Sequence, residues 1–474
     1  MTVSTNPSVA NGYTDLSGAQ VAAGATGVAG VTADGQFSLS PVGGPVRKLI
    51  QNLGYAFANE TFQLVGDSTG NETTEWFYLM MSRIVGELPA STNVSYRLYN
   101  DAAGRYDAKT TIQTGDGEPY VTVGADLRGW GVSRSYVGAV GGADLDVWVD
   151  VQLDSYTTGN QVLMAQYGGA IPRNVFYFYL NSAGAPQLFW STDGGTTTFT
   201  VGASTNVTGL VSAGGRLAIR ATLDVDNGSG SRVIQFFTSS DTVTWTQLGT
   251  TTTTAGTTSI HNNTTQPVEI GSRNASDGAS TGGAVSGAIG RFYGAHLSTT
   301  ISGPNQLPAH IREWGPFNNM NGVKGGGPAL VVYNGSISGQ NMAYFSTGDR
   351  LARMIPRTYG GYLFINSSHN EGTGWEPAVF KAAVDAFVTA CKVRAVDPYV
   401  IVTAQNPQTS PRTAVQIDGQ NRRNEAWRMM ALANNWKCID AAKLNWTGLI
   451  DTDGVHPLKP ATIWGDEAFY EMCR

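Results

Sequence analysis

The rhythm of apolar and polar positions changes three times along the chain. Residues 62–66 form a short apolar run that closes on a turn. Over residues 72–88, Trp76, Leu79, Met80, Ile84 and Leu88 recur at helical spacing, with acids near the start. Residues 94–99 read as the next strand. A strand, a tight turn and a helix in that order form an α/β signature. Between about 118 and 300 the period falls to two. Leu145, Val147, Val149, Val151 and Leu153 alternate with polar residues, and so do Leu217, Ile219, Ala221, Leu223 and Val225. Further β runs are expected at 175–180, 233–238 and 243–248, with no helix over some 180 residues. From about 305 the helical texture returns. Strands are expected at 361–365, 399–403 and 437–440, and helices at 375–393 and 420–435. An all-β module thus interrupts an α/β one.

Composition supports that division. Charged residues make up 14% of the chain, against about 25% in ordinary domains. Glycine accounts for 59 of 474 residues, which fits many turns and short strands and excludes a coiled coil or a long helical bundle. At about 100–200 residues per domain, the length predicts two to four domains. We divide it into a low-complexity leader (1–45), a first α/β part (46–117), an inserted β-sandwich (118–300) and a second α/β part (301–474). The net charge of −6 argues against nucleic acid as a partner. No run of eighteen apolar residues is present, so no membrane span is expected. The first residues lack the basic and apolar regions of a secretory signal. Cys391, Cys438 and Cys473 are odd in number, with no C-x-x-C spacing, and read as thiols of a reducing compartment.

Two segments outside the β module carry chemistry. In Gly66-Asp67-Ser68-Thr69-Gly70 a serine follows a strand and precedes a helix, so its hydroxyl stands on a sharp turn. The neighbouring N–H groups and the helix N-terminus offer positive potential to a developing oxyanion. In Asp451-Thr452-Asp453-Gly454-Val455-His456 an acid lies three residues before a histidine. The acid can hold one ring nitrogen and leave the other free to take the serine proton.

With Gly66-Asp67-Ser68 as a first block and Asp453-Gly454-Val455-His456 as a last one, the chain resembles the SGNH hydrolase (GDSL esterase/lipase) superfamily. Asn334-Gly335-Ser336-Ile337-Ser338-Gly339 is similar to the second block. Residues 365–371 sit where the family has Gly-x-Asn-Asp, with Ser368 in place of the Gly and Glu371 in place of the Asp. The resemblance covers roughly 46–117 and 305–474. It implies an α/β fold, a flavodoxin-like three-layer hydrolase carrying an inserted jelly-roll or sandwich domain. It also implies a serine esterase with Ser68 as nucleophile, His456 as general base and Asp453 as its orienting acid. The oxyanion hole would be the Ser68 N–H, the Gly339 N–H and the Asn370 side chain, and no metal or cofactor is required.

Other readings compete. The serine segment also fits the G-x-S-x-G elbow of α/β-hydrolases, whose acid and histidine come from separate loops. Ser68 as a helix-capping turn residue, His369 as a second base, and Asp451 in place of Asp453 are further alternatives. Asp224-Val225-Asp226-Asn227-Gly228 hints at a calcium loop but lacks the remaining ligands, so a hairpin turn is the stronger reading. Residues 191–199 are similar to the Asp-box hairpin of sialidases, a structural turn. The β module looks like a laminin-G or concanavalin-like jelly roll. Its aromatics Trp148, Tyr177, Tyr179, Trp190 and Trp245 are either core or sugar platforms, and core packing is the stronger reading. Hydrolase, lectin-like insert and featureless leader together look like a bacteriophage tail or receptor-binding protein. That implies synthesis in the host cytoplasm, assembly into a virion tail with other tail proteins, possible homo-oligomerisation as a trimer, and action on an acylated cell-envelope glycan or glycolipid. A non-catalytic receptor-binding scaffold and a free bacterial esterase are the alternatives.

Overall fold

The computed structural model describes residues 29–31, 37–39, 44–54, 59–123, 130–132, 143–168, 171–263, 266–273, 286–309, 323–371, 377–447, 449–458 and 462–473. Most of the 1–45 leader lies outside them. The chain divides into two compact units: 1–117 with 327–355 and 360–474, and 118–326 with 356–359.

The first unit is built on six parallel strands: β1 (Asn59–Gly66), β2 (Asn93–Asn100), β3 (Ala329–Ser336), β4 (Tyr362–Asn366), β5 (Tyr399–Ala404) and β6 (Lys437–Asp440). They lie in the order β6-β5-β4-β1-β3-β2, with two short antiparallel strands outside β2. Five helices matter: α1 (Gly44–Gly54), α2 (Trp76–Glu87), α3 (Pro377–Lys392), α4 (Ala414–Asn434) and α5 (Thr462–Cys473). Parallel strands are covered on both faces and so read as unbroken apolar runs, and every residue of β4 is buried. Alternate residues face different layers. Phe62, Leu64, Tyr362, Phe364 and Ile401 pack with Trp76, Phe77, Trp464 and Phe469 of α2 and α5. Val65, Leu363, Ile365, Val400 and Val402 pack with Phe380, Val384, Trp427 and Met430 of α3 and α4. Edge-on contacts of Phe364 with Phe62 and Phe77, each at 5.2 Å, lock β4 to β1 and α2.

In the register, Gly66 at the end of β1 lies between Ser336 of β3 and Asn366 of β4. The strand order reverses around this point, where open α/β sheets form their crevices. Gly66 has no room for a side chain: a Cβ there would come within 2.8 Å of the Asn366 carbonyl and 3.1 Å of Ser336 Oγ.

Two helix boundaries differ from those expected. α2 starts at Trp76 rather than near residue 72. Glu75 is extended, and its carboxylate takes the Glu72 N–H at 2.8 Å, which closes a turn ahead of the helix. α4 starts at Ala414 rather than near 420, because Thr413 and Gln416 form a reciprocal capping box upstream of the apolar pattern.

The second unit is a β-sandwich, with no α-helix among its described residues. One sheet contains Gln161–Tyr167, Asn174–Leu180, Pro186–Ser191 and Thr198–Gly202. The other contains Leu145–Leu153, Arg216–Asp224, Ser231–Ser239 and Gly290–Ser298. Val147, Val149, Ile219, Leu223, Phe176, Phe178, Leu188 and Trp190 fill the space between them. The expected strand at 243–248 is reduced to Thr246–Gln247. Asp241 instead draws the N–H groups of Val243 and Thr244 and the Ser239 hydroxyl into a turn. Asp193 builds the same turn with Gly195, Thr196 and Thr197, so the hairpin similarity at 191–199 has a second copy that the sequence reading missed. The carboxylates of Asp224 and Asp226 accept backbone N–H groups of their own hairpin.

The β unit extends to Gly326, past the expected boundary at 300. Strand Val323–Gly325 pairs with Tyr120–Val123, so the last strand lies beside the first. Where the α/β unit is interrupted, Gly327 N–H donates to the Gly117 carbonyl at 3.1 Å. No helix among the described residues is long and apolar enough to cross a membrane.

Replacing Gly66 by alanine is expected to cost about 1–3 kcal/mol of stability through overpacking, with a matching fall in the urea midpoint. An unchanged midpoint would show that β4 yields at this contact.

Candidate active site

Ser68 follows β1 on a turn closed by the Gly70 N–H and the Asp67 carbonyl. α2 begins eight residues later, so the helix N-terminus expected just behind the serine is not there. The turn is held from within instead. Asp67 is fully buried. One of its carboxylate oxygens accepts the Thr69 N–H at 3.1 Å and the Thr69 hydroxyl at 2.8 Å, and the other accepts the Gln405 amide at 2.8 Å. In the amide orientation that suits its neighbours, Asn71 donates to the Ser68 carbonyl at 2.7 Å and to Glu75 at 3.1 Å.

Ser68 Oγ lies 2.6 Å from His456 Nε2, and His456 Nδ1 lies 2.5 Å from Asp453 Oδ2. With the Nδ1 proton donated to Asp453, Nε2 carries a lone pair toward the serine hydroxyl. Asp453 Oδ1 accepts the N–H groups of Val455 and His456 at 2.9 and 3.0 Å. Partial burial pushes this carboxyl upward. The two N–H groups and the imidazole outweigh it and hold the pKa at about 2. Asp451, the alternative acid, spends its carboxylate on Thr452. Three consecutive carbonyls of the loop that carries Asp453 and His456 are tied to the segment after β5: Asp453 by Arg412 Nε at 3.1 Å, Gly454 by the Thr409 N–H at 2.9 Å, and Val455 by the Asn406 amide at 2.7 Å.

Gly339 lies three residues past β3, with φ +73° and open space where a Cβ would be. Asn370 lies four residues past β4, and its amide donates to the Gln340 carbonyl at 3.2 Å. Among the described residues, neither the Ser68 nor the Gly339 N–H is taken by an intramolecular acceptor. All these residues follow the carboxyl ends of adjacent strands. Among the described residues His369 makes no hydrogen bond to Ser68. It is buried, and its Nε2–H donates to the Asn406 carbonyl at 2.8 Å. Desolvation lowers its pKa, while Asp67 and the Asn406 bond act in the other direction.

The sequence reading missed the polar support beneath the turn. Asn366 and Gln405 end β4 and follow β5. Asn366 Oδ1 accepts from Thr403 Oγ1 at 2.5 Å and from Gln405 Nε2 at 2.9 Å. Asn424 brackets the Gln405 backbone, accepting its N–H at 3.0 Å and donating to its carbonyl at 2.9 Å. Gln420 donates to the Asn406 carbonyl at 2.6 Å, and Arg423 to the Ser368 carbonyl at 2.8 Å. Trp427 donates to the Ser367 carbonyl at 2.8 Å. Gln420, Arg423, Asn424 and Trp427 share one face of α4, the i, i+3, i+4, i+7 pattern. A search for helical periodicity in polar as well as apolar residues would have found them.

Among the described residues, no group of three or more His, Cys, Asp or Glu side chains is placed to hold a metal. In the β unit, Trp190 is fully buried and donates to Thr258. Trp148, Tyr177, Tyr179 and Trp245 are half-buried. Tyr177 stacks on Phe189 at 4.4 Å, and Arg273 lies 4.7 Å from the rings of both Tyr167 and Tyr177. Trp148 stacks on His296 at 5.6 Å.

No family model and no curated protein matches this sequence. Several solved structures are similar to parts of it. A lipase/acylhydrolase from Enterococcus faecalis is 15% identical over 31% of this chain and 76% of that one, with a TM-score of 0.24. Axe2, an acetylxylan esterase from Geobacillus stearothermophilus, is 15% identical over 30% of this chain and 73% of that one, with a TM-score of 0.25. The CBM40 of the Ruminococcus gnavus IT-sialidase is 12% identical over 39% of this chain and 91% of that one, also at 0.25. At these scores the site's own geometry carries the functional reading.

Two outcomes are expected. Gln405→Ala strips from one oxygen of the buried Asp67 carboxylate the only partner it has among the described residues, and should cost about 2–4 kcal/mol, read by urea melts. Asp453 has its pKa depressed from 3.8 to about 2. Its contribution to stability is therefore fully present above about pH 4 and is lost as the pH falls through about 2. The stability difference between the parent and Asp453→Asn should be flat above pH 4 and shrink below it. A difference that grows on acidification would contradict the assignment.

Proposed function

We propose that the chain is a serine esterase of the SGNH type that removes O-acetyl or other acyl groups from a bacterial cell-envelope polysaccharide or glycolipid. The observation that carries this reading is the hydrogen-bonded line from Ser68 through His456 to Asp453 at the carboxyl edge of a parallel sheet. Ser68 Oγ attacks the ester carbonyl as its proton passes to His456 Nε2. The carbonyl electron pair moves onto oxygen, where the N–H groups of Ser68 and Gly339 and the Asn370 amide receive it. Asp453, charged across the neutral range, stabilises the imidazolium. The tetrahedral intermediate collapses, the C–O bond breaks, and the departing alkoxide takes the proton from Nε2. A water molecule repeats the sequence on the acyl-serine and returns the free acid.

We propose for its setting a virion tail acting at a bacterial surface, with the β unit holding the glycan. The low-complexity leader and the half-buried aromatic clusters support this. The same clusters favour a second reading, adsorption to a receptor without turnover.

Hydrolysis of p-nitrophenyl acetate and longer acyl esters, and acetate release from acetylated envelope polysaccharide, test the main reading. Ser68→Ala and His456→Ala should each lower kcat by about 10³ or more. If the parent releases no acyl group from any of these while Ser68→Ala still binds cells, the adsorption reading stands instead. A tail protein is expected to be a symmetric oligomer by solution mass, whereas a monomer would count against the virion setting.

A further inference from the structure

Glu371 directly follows Asn370 and is fully buried. Its Oε1 accepts the Met342 N–H at 2.9 Å and the Ser367 hydroxyl at 2.5 Å. Its Oε2 is buried, and among the described residues it has no hydrogen-bond partner and no cation forms an ion pair with it. An ionised carboxylate in this position would leave one oxygen neither solvated nor bonded. A neutral acid needs far less.

The placement of its two partners gives the group a task. Met342 lies three residues past Gly339 and opens the short helix Met342–Phe345. Ser367 stands at the root of the segment that carries Asn370. One carboxyl oxygen thus joins the segment after β3 to the segment after β4, and the Asn370–Gln340 bond spans the same gap. The two segments carry two of the three donors assigned to the oxyanion. Resting on the esterase reading, we propose that Glu371 is a positioning residue that acts as a neutral carboxylic acid, tying the Gly339 segment to the Asn370 segment and fixing the spacing of their donors.

Neutrality matters as much as the tie. A negative charge one residue from Asn370 would oppose the charge that develops on the carbonyl oxygen. The charged groups that act on Glu371 pull in opposite directions: Arg423 from α4 favours ionisation, and Asp67 from the serine turn opposes it. Burial outweighs both and raises the pKa. Arg423 Nε is engaged by the Ser368 carbonyl. The sign follows directly: the neutral form holds below the raised pKa and gives way, as the pH rises through it, to a carboxylate that keeps both bonds but carries the opposing charge.

The test compares the full chain with Glu371→Gln and Glu371→Ala, using p-nitrophenyl acetate turnover and infrared spectra. Glutamine keeps a neutral carbonyl acceptor at the same reach, so it should retain most of kcat. The parent should lose kcat on the alkaline side as Glu371 ionises, and the glutamine variant should lack that loss. Alanine should lower kcat by about 10²–10³, the cost of a misplaced oxyanion donor, with KM little changed. The parent-minus-glutamine infrared difference at neutral pH should contain the C=O stretch of a protonated carboxyl. A carboxylate signature there, or a folded glutamine variant as slow as the alanine one, overturns the proposal while the esterase reading stands. A parent with the protonated band but no activity on any ester overturns both the esterase reading and the positioning role, leaving only a buried neutral acid.

Discussion

A carboxylate with no access to water is the constraint from which the site is built. Asp67 lies between the glycine that ends the central strand and the serine that follows it, and it is wholly buried. Burying such a group is costly unless donors surround it. Thr69 supplies two donors from within the turn, and Gln405 supplies one from the end of a strand two places away. Gln405 then has to be held, and the helix α4 holds it from below through Asn424. The requirement passes outward from the carboxylate through one amide to another. It ends by making one face of a core helix polar. The serine hydroxyl is aimed because the residue before it cannot move without losing these bonds.

The same segment also supports the other half of the site. Residues 405–412 begin with the amide that satisfies Asp67 and go on to tie the carbonyls of Asp453, Gly454 and Val455. Ser68 and the His456–Asp453 pair are far apart in sequence, yet both rest on one stretch after β5. A distance of 2.6 Å between Ser68 and His456 is thus set by a shared support rather than by two loops that meet independently. Catalytic geometry has to hold within about half an ångström, and a common support is one way to meet that tolerance.

What could be read from the sequence follows the same physics. β1, β4 and β5 stand out because a strand covered on both faces has to be mainly apolar, and 62–66, 361–365 and 399–403 are, with Gln63 and Thr403 as the polar exceptions. The residues brought together at the serine were legible because their spacing is local: Asp453 and His456 sit on one turn. The supporting face of α4 was not. Gln420, Arg423 and Asn424 look like solvent-facing residues until the carboxylate they indirectly serve is known to be buried. The limit of the β insert was illegible for a related reason. The strand that closes it, Val323–Gly325, has three residues and no alternation, and only its pairing with Tyr120–Val123 assigns it. Local pattern reveals elements that satisfy themselves, whereas elements defined by a distant partner stay hidden.

The interruption falls at the edge of the parallel sheet opposite the one that carries Ser68. Asn93, the first residue of β2, donates through its side chain to the carbonyls of Gly117 and Pro328, and Gly327 donates to Gly117. The two ends of the break therefore meet at the amino edge of the parallel sheet. The eight residues of β3 carry the chain roughly 23 Å from there to the carboxyl edge. Two ends already side by side add little loop-closure entropy, whatever the length inserted between them. No residue assigned to the triad, to the oxyanion donors or to their buried support comes from 118–326. On the proposed reading the chemistry lies wholly within the α/β unit, and the β unit acts on substrate supply alone. A glycan held equally well before and during reaction raises the local ester concentration and lowers KM, but it does not lower the barrier at Ser68.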